Sequence, residues 1–308
     1  MSAQIGYIPG HFAQQFGVDT LHGLTTRAGS KAKWTHFSLD QVEADLHAGG
    51  TSIGRCDAVV MGYQHVAQHG LPYIVRLRKA LDCFANLRPI QTVPGLPSRL
   101  LDVDILVVRE STEDIYAQLE HESIPGVFES LKVTTRAACE RIARFAFETA
   151  LAKNRKKVTI VHKANIMKKS DGMFLTVART VAEDYPSIEV DDCIVDALCM
   201  KLVLHPEWFD VLLCGNLFGD IVSDLGAGLV GGRRNCPSVN IGPNTAVFTT
   251  GQVSSDALDI SLLRSTILML AHIGEQNAAS RLQQALQVAL KEGLGDAEQF
   301  IQRLNAAL

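Results

Sequence analysis

Two aspartates four residues apart, Asp220 and Asp224, lie in the stretch NLFGDIVSD, between the apolar runs VLLC and LGAGLVGG. On a helix that spacing puts both carboxylates on one face, one turn apart. Two like charges there repel unless something positive lies between them. A third acid, Asp196 in IVDALCMK, is also framed by apolar residues. Three unpaired buried carboxylates would be costly. A hard divalent cation, Mg²⁺ or Mn²⁺, held by oxygen ligands with room left for substrate and water, removes that cost. The acids are therefore expected to hold a metal.

The basic residues suggest what the metal would meet. Arg78 and Arg88 flank LDCFAN in RKALDCFANLRP, and Arg109 ends the run ILVVR. An arginine at the end of a buried strand can offer its forked guanidinium to a carboxylate. Three together would suit a di- or tricarboxylic acid, whereas any one alone reads as an ordinary surface or ion-pairing residue. Tyr116, seven residues beyond Arg109 in RESTEDIY, and Lys163, in VTIVHKANIMK, carry exchangeable protons. A lysine after an apolar strand can serve as a base or proton relay. The alternatives are a packed tyrosine with its hydroxyl bonded and a lysine reaching solvent.

Alternating strands and helices must position these groups. Ile105-Leu106-Val107-Val108, Val158-Thr159-Ile160-Val161 and Val211-Leu212-Leu213-Cys214 read as buried strands. A helix is predicted from about Arg136 to Lys153, with Cys139, Ile142, Ala143, Ala146 and Ala150 as its apolar stripe and Arg141, Arg144 and Glu148 facing water. A second helix runs from about Asp171 to Glu183. The tail from Leu262 to Leu290 reads as helical with a polar interruption at Gly274-Glu275-Gln276-Asn277. Alternation of this kind argues for α/β layers. The segments Pro89 to Pro97 and Gly231 to Pro243 read as crossings between domains, and no internal repeat is visible.

At 308 residues the chain is long enough for two domains. A formal net charge of −4 gives no reason to expect nucleic acid or an anionic membrane as a partner. No apolar run approaches the roughly 20 residues a membrane span needs. Seven cysteines, an odd number without a CxxC pair, read as reduced core thiols in a reducing compartment. The opening MSAQIGYIPGHF shows no signal or transit pattern, so a cytoplasmic location is expected, with the mitochondrial matrix as the alternative.

The segments RKALDCFANLRP, VVRESTEDIYAQLEHESIPGV, RKKVTIVHKANIMK and NLFGDIVSDLGAGLVGG closely resemble the isocitrate/isopropylmalate dehydrogenase family of β-decarboxylating dehydrogenases, in the manner of NAD-dependent isocitrate dehydrogenase subunits of the mitochondrial type. The resemblance covers about Lys79 to Gly242. It implies an α/β two-domain fold without the GxGxxG Rossmann motif. A large domain would comprise 1–84 plus 232–308, and a small domain, 85–231, would carry the dimer interface and the metal and substrate residues. Arg78, Arg88 and Arg109 would bind the substrate carboxylates, and Tyr116 and Lys163 would serve proton transfers. Asp220 and Asp224 would ligate Mg²⁺ or Mn²⁺, with Asp196 completing the site. In the family Lys163 and Asp196 act in the neighbouring subunit's site, which implies a homodimer or a hetero-oligomer with a related subunit. The implied reaction is metal-dependent oxidative decarboxylation of isocitrate or a related 2-hydroxy acid with NAD, an oxidoreductase step of the tricarboxylic acid cycle.

Three departures fall where the cofactor or the substrate tail should sit. The family's IPGDGIGPE turn reads Ile8-Pro9-Gly10-His11-Phe12-Ala13-Gln14-Gln15 here. The adenine loop after AVF is shortened to Thr249-Thr250-Gly251-Gln252-Val253-Ser254-Ser255-Asp256, with Asp256 at the place of the ribose-binding acid. The Ser-x-Asn that greets isocitrate is Pro72-Tyr73-Ile74, and Ile74-Val75 resembles the apolar pair of isopropylmalate enzymes. Two readings stay open: an active NAD-linked dehydrogenase, or a non-catalytic or regulatory member that binds a carboxylate or supports a catalytic partner.

Overall fold

The three apolar runs read as strands are strands in the computed structural model, which describes residues 2–10, 17–63, 73–250 and 260–308. The fold is mixed α/β, and the chain forms two units. One combines Met1–Cys83, Thr92–Leu101 and Val230–Leu308, and the other Phe84–Gln91 and Asp102–Leu229.

The second unit carries most of the candidate residues. Five of its strands lie side by side in the order Ala85–Gln91, Asp104–Glu110, Val211–Cys214, Lys157–His162 and Glu189–Ile194, and Glu120–Ile124 and Val127–Ser130 pair separately. Of the five, the first two pair antiparallel and the remaining pairs are parallel. Ile105, Leu106, Val107 and Val108 are all buried, so successive side chains on opposite faces are both covered. Helices Arg136–Ala152 and Ser170–Ala182 pack on each other and on this sheet, as do Val195–Leu204 and Asn216–Leu229. In the first of these helices Cys139, Ile142, Ala143, Ala146 and Ala150 are buried, as the spacing predicts. Thr135 caps it, its side chain accepting from the Ala138 N–H. Arg141 departs from the expectation: its guanidinium lies 4.6 Å over the Phe84 ring instead of standing free in water.

In the first unit the strands order as Lys33–His36, Gln4–Ile8, Ala58–Met61, Ala246–Thr250 and Pro237–Ile241, parallel except for the last pair. Its core gathers Ile8, Val42, Ile53, Val59, Met61, Leu77 and Val247, with Ile74 packed against them. The tail is two helices, Ile260–His272 and Gln276–Lys291, separated where Gly274 takes a φ of 84°. A last helix, Ala297–Ala307, lies beyond the span read from the sequence. Pro89 is not yet a crossing: it sits within strand Ala85–Gln91, opposite Leu106. All seven cysteines are free thiols, six buried and Cys199 partly so. Burial pushes the Cys83 and Cys139 thiols up to about 12. Among the described residues no helix is long and apolar enough to cross a membrane.

Candidate active site

Four adjacent strands of the second unit end near candidate residues. Arg109 is the penultimate residue of its strand, Lys163 directly follows Lys157–His162, and Asp196 lies two residues past Ile194. Asn216 lies two past Cys214. Because Val211–Cys214 is parallel to both Asp104–Glu110 and Lys157–His162, and Lys157–His162 to Glu189–Ile194, these ends share one edge of the sheet. The carboxyl ends of parallel strands are where open α/β sheets commonly bind ligands.

Helix Asn216–Leu229 starts at this edge. Asn216, Asp220 and Asp224 recur at intervals of four and so form one stripe. Val222 and Leu229 are buried on the opposite face of the helix, which explains why its acids stand amid apolar sequence. The acids themselves are not buried: the Asp220 side chain is 37% exposed and that of Asp196 is 67% exposed. The desolvation cost expected for three buried carboxylates is therefore mostly absent.

Each of these two acids has a basic partner. Arg109, 2% exposed, pairs through Nη1 with Asp220 Oδ1, while its Nε and Nη2 donate to Asn216 Oδ1 at 3.0 and 2.6 Å. The Tyr116 hydroxyl donates to Asp220 Oδ2 at 2.5 Å, and its ring lies 5.0 Å from the Arg109 guanidinium carbon. Both oxygens of Asp220 are thus engaged. Burial, helped by the bond to Asp220, raises the Tyr116 phenol above its ordinary value, so it stays protonated at neutral pH. Lys163 Nζ donates to Asp196 Oδ1 at 2.5 Å, and that bond lowers the Asp196 carboxyl.

Two devices hold the turn that carries Lys163. Its backbone N–H donates to Asp171 Oδ2 at 2.7 Å, and the next N–H, of Ala164, donates to His162 Nδ1 at 3.0 Å. An accepting Nδ1 fixes the histidine as the neutral Nε2–H tautomer, with Nε2 donating to Asp192 at 2.8 Å. Lys132 bridges Asp171 at 2.9 Å and Asp114 at 3.4 Å, and Asp114 also accepts from the Leu217 N–H at 3.1 Å. One ion triad, its two acids buried and Lys132 partly so, thereby links the Lys163 turn to the first turn of the Asp220 helix. Asp114 holds a φ of 74°, a conformation costing about 1–3 kcal/mol that persists only where surroundings over-determine it. Its bonds to Lys132, Ile115 N and Leu217 N supply that determination.

The other two arginines are separately held. Arg88 Nε donates to Asn86 Oδ1 at 2.9 Å within strand Ala85–Gln91. In the first unit, Arg78 Nε donates to Asn240 Oδ1 at 2.7 Å. Sequence reasoning missed these asparagines. The FANLR spacing could have exposed one, since residues two apart on a strand share a face. Asp114, Lys132, Asp171 and His162 gave no local signal, because the charged side chains they meet, Lys132 for the two acids and Asp192 for His162, come from separate elements.

Among the described residues no three His, Cys, Asp or Glu side chains come together as a metal cluster. Asp220 and Asp224 supply hard oxygen donors of the right kind for Mg²⁺ or Mn²⁺, but one chain does not bring Asp196 to them. Asp196 is instead exposed at the surface. Asp256 and the His11–Phe12 turn, read as cofactor-facing, lie outside the described residues. Ile74 packs into the core of its unit.

The model of the family described as isocitrate/isopropylmalate dehydrogenase matches residues 56–299. Regulatory subunit 1 of mitochondrial NAD isocitrate dehydrogenase from Arabidopsis thaliana is 48% identical over 230 residues, which cover 71% of this chain and 63% of that protein. A 3-isopropylmalate dehydrogenase from Archaeoglobus fulgidus is 44% identical over 248 residues, 78% of this chain and 74% of that protein. The crystal structure of isocitrate dehydrogenase from Methylococcus capsulatus superposes with a TM-score of 0.86 at 35% identity, covering 99% of this chain and 100% of that one. The chain belongs to the isocitrate/isopropylmalate dehydrogenase family.

Proposed function

We propose that this chain is a subunit for the metal-dependent oxidative decarboxylation of isocitrate or a related 2-hydroxy acid with NAD. The observation that carries the reading is the meeting of Arg109, Tyr116 and Asp220 at one strand edge. A carboxylate receptor, a protonated phenol and a metal-type oxygen donor are the groups such a reaction needs together.

Arg78, Arg88 and Arg109 would bind the substrate carboxylates. Asp220 and Asp224, with Asp196 of the partner subunit, would hold Mg²⁺ or Mn²⁺. When bound, the ion supplies Lewis acidity at the reacting oxygens and NAD supplies the hydride acceptor. Lys163 would take the proton from the substrate hydroxyl oxygen, in the site of the partner subunit. Tyr116, kept protonated by burial and by Asp220, would hold the proton that the carbon receives after decarboxylation.

A second subunit is further supported by the surface beside Asp196. Met200, Val203, Leu204, Trp208 and Ile221 are exposed, and a related chain covering them would bring Lys163 and Asp196 to its own site. The name of the plant relative, a regulatory subunit and mitochondrial, supports a hetero-oligomer and a mitochondrial location over the cytoplasmic one expected from the sequence.

A regulatory subunit is the second reading. Both Asp220 oxygens are already engaged within one chain, and the plant relative is by name a regulatory subunit. Titrating NAD and NADP onto the protein with Mn²⁺ and isocitrate, then assaying isocitrate, 3-isopropylmalate, malate and tartrate, separates the two. Nucleotide binding with NADH formation supports catalysis. Isocitrate binding without nucleotide binding or turnover supports regulation. Binding of neither sinks both.

A further inference from the structure

We propose that three buried asparagines, Asn86, Asn216 and Asn240, are positioning residues that aim the carboxylate-binding arginines without discharging them. The proposal rests on the reading of Arg88, Arg109 and Arg78 as the carboxylate receptors. In each case the arginine Nε donates to an asparagine Oδ1, at 2.9, 3.0 and 2.7 Å. The same edge of the guanidinium is taken each time, twice on neighbouring strands, where Asn86 stands opposite Arg109, and once in the first unit. All three asparagines are buried.

An arginine has long rotatable arms, and ordering them costs free energy when the ligand arrives. A partner bonded beforehand at Nε removes that cost and leaves the planar fork oriented for a bidentate carboxylate. An aspartate would aim the arginine equally well, but it would also neutralise it. The asparagine amide accepts the same bond with no net charge. It also donates: Asn216 Nδ2 gives to the Glu113 carbonyl at 2.9 Å and Asn240 Nδ2 to the Val247 carbonyl at 3.3 Å. A carboxylate has no hydrogen to give those carbonyls. Asparagine is thus the side chain that satisfies a buried backbone acceptor and a guanidinium together. Arg109 also meets Asp220 and gives Nη2 as well as Nε to Asn216, so the test is placed at Asn86 and Asn240.

The test replaces each of these two by Ala, which releases the arginine, and by Asp, which holds but neutralises it. Binding of citrate and isocitrate, with and without Mn²⁺, is followed by calorimetry beside thermal unfolding. In folded protein, Asn86→Ala and Asn240→Ala should weaken binding about tenfold and the Asp variants further. Equal affinity across wild type, Ala and Asp overturns the proposal, as does a loss that only tracks unfolding. Arginine Nε–H resonances provide a readout without ligand. Those of Arg78 and Arg88 should be protected from exchange in wild type, and each should lose protection in its own Ala variant. Unchanged protection refutes the positioning role even if no carboxylate binds. Wild type that binds neither acid while retaining protected Nε–H groups refutes the functional reading instead.

Discussion

Adding one methyl group at Gly219 tests how the site is packed. Gly219 lies in helix Asn216–Leu229 between Asn216 and Asp220, where the Arg109 side chain crosses the helix. A Cβ there would stand 2.6 Å from Arg109 Cγ and 2.7 Å from its Cβ. These are the root of the side chain, so rotation at the tip cannot relieve the contact. Gly228 lies in the same helix, and a Cβ there meets nothing within 4 Å. Alanine in a helix interior is ordinarily better than glycine by about 1 kcal/mol. Gly228→Ala should therefore gain up to about 1 kcal/mol. At Gly219 the same gain is set against about 1–3 kcal/mol of overpacking. Disturbing the pairing of a buried guanidinium adds about 1–2 kcal/mol, reduced from the fully buried value because Asp220 is partly exposed. The net expectation is a loss of about 2 kcal/mol, and a gap of about 3 kcal/mol between the variants. Urea unfolding followed by Trp208 fluorescence in a Trp34→Phe background reads the second unit alone. Citrate binding should fall in Gly219→Ala and survive in Gly228→Ala. A Gly219→Ala protein as stable as its Gly228→Ala counterpart would refute the claim that Arg109 needs this gap.

Two further outcomes follow from geometry. Burial alone would raise the Asp192 carboxyl, but the bonds from His162 and Arg179 more than reverse it, leaving it below its ordinary 3.8. Its contribution is thus present above that value and disappears as pH falls through the lower folded one. Asp192→Asn should cost about 1–2 kcal/mol at pH 7 and progressively less below pH about 4, and a gap constant from pH 7 to 2 would contradict this. Gly231, at a φ of 95°, would place a Cβ 1.9 Å from the Pro97 carbonyl oxygen. Gly231→Ala should lose on the order of 3 kcal/mol or more in unfolding followed by Trp34, whereas Gly23→Ala, with open space, should lose nothing.

The strands were legible because burial on both faces demands continuous apolar runs, and Val211–Cys214 was read to the residue. The Arg136–Ala152 helix was legible through its stripe, since 3.6-residue periodicity is a local property of the chain. Aspartate spacing fixed the shared face of Asp220 and Asp224. It could not fix exposure, which depends on what packs over the helix, and the burial expected of Asp220 and Asp196 from their apolar neighbours is not found. The asparagine supports of Arg109 and Arg78 were illegible for another reason: Asn216 is 107 residues from Arg109, and Asn240 is 162 from Arg78. Nothing near either arginine announces them. The Lys132 bridge is of the same kind, joining acids that separate elements bring to one place.

The pairing of acids with bases has a consequence for how ligands would enter. Within one chain Arg109 faces Asp220 and Lys163 faces Asp196, so each candidate substrate-handling base is matched to a candidate metal ligand. Under the proposed roles, a divalent cation drawn to Asp220 would compete with Arg109 for Oδ1. With that oxygen turned to the cation, the guanidinium would keep its Asn216 bonds and its charge would become available to a carboxylate. A substrate carboxylate on Arg109 would in turn weaken its hold on Asp220 and leave the acid open to a cation. The two bindings would therefore favour each other, and by linkage each would strengthen the other by the same factor. The ion pair would then act as an exchangeable stand-in: the arginine in the cation's place at the acid, and the acid in the substrate's place at the arginine.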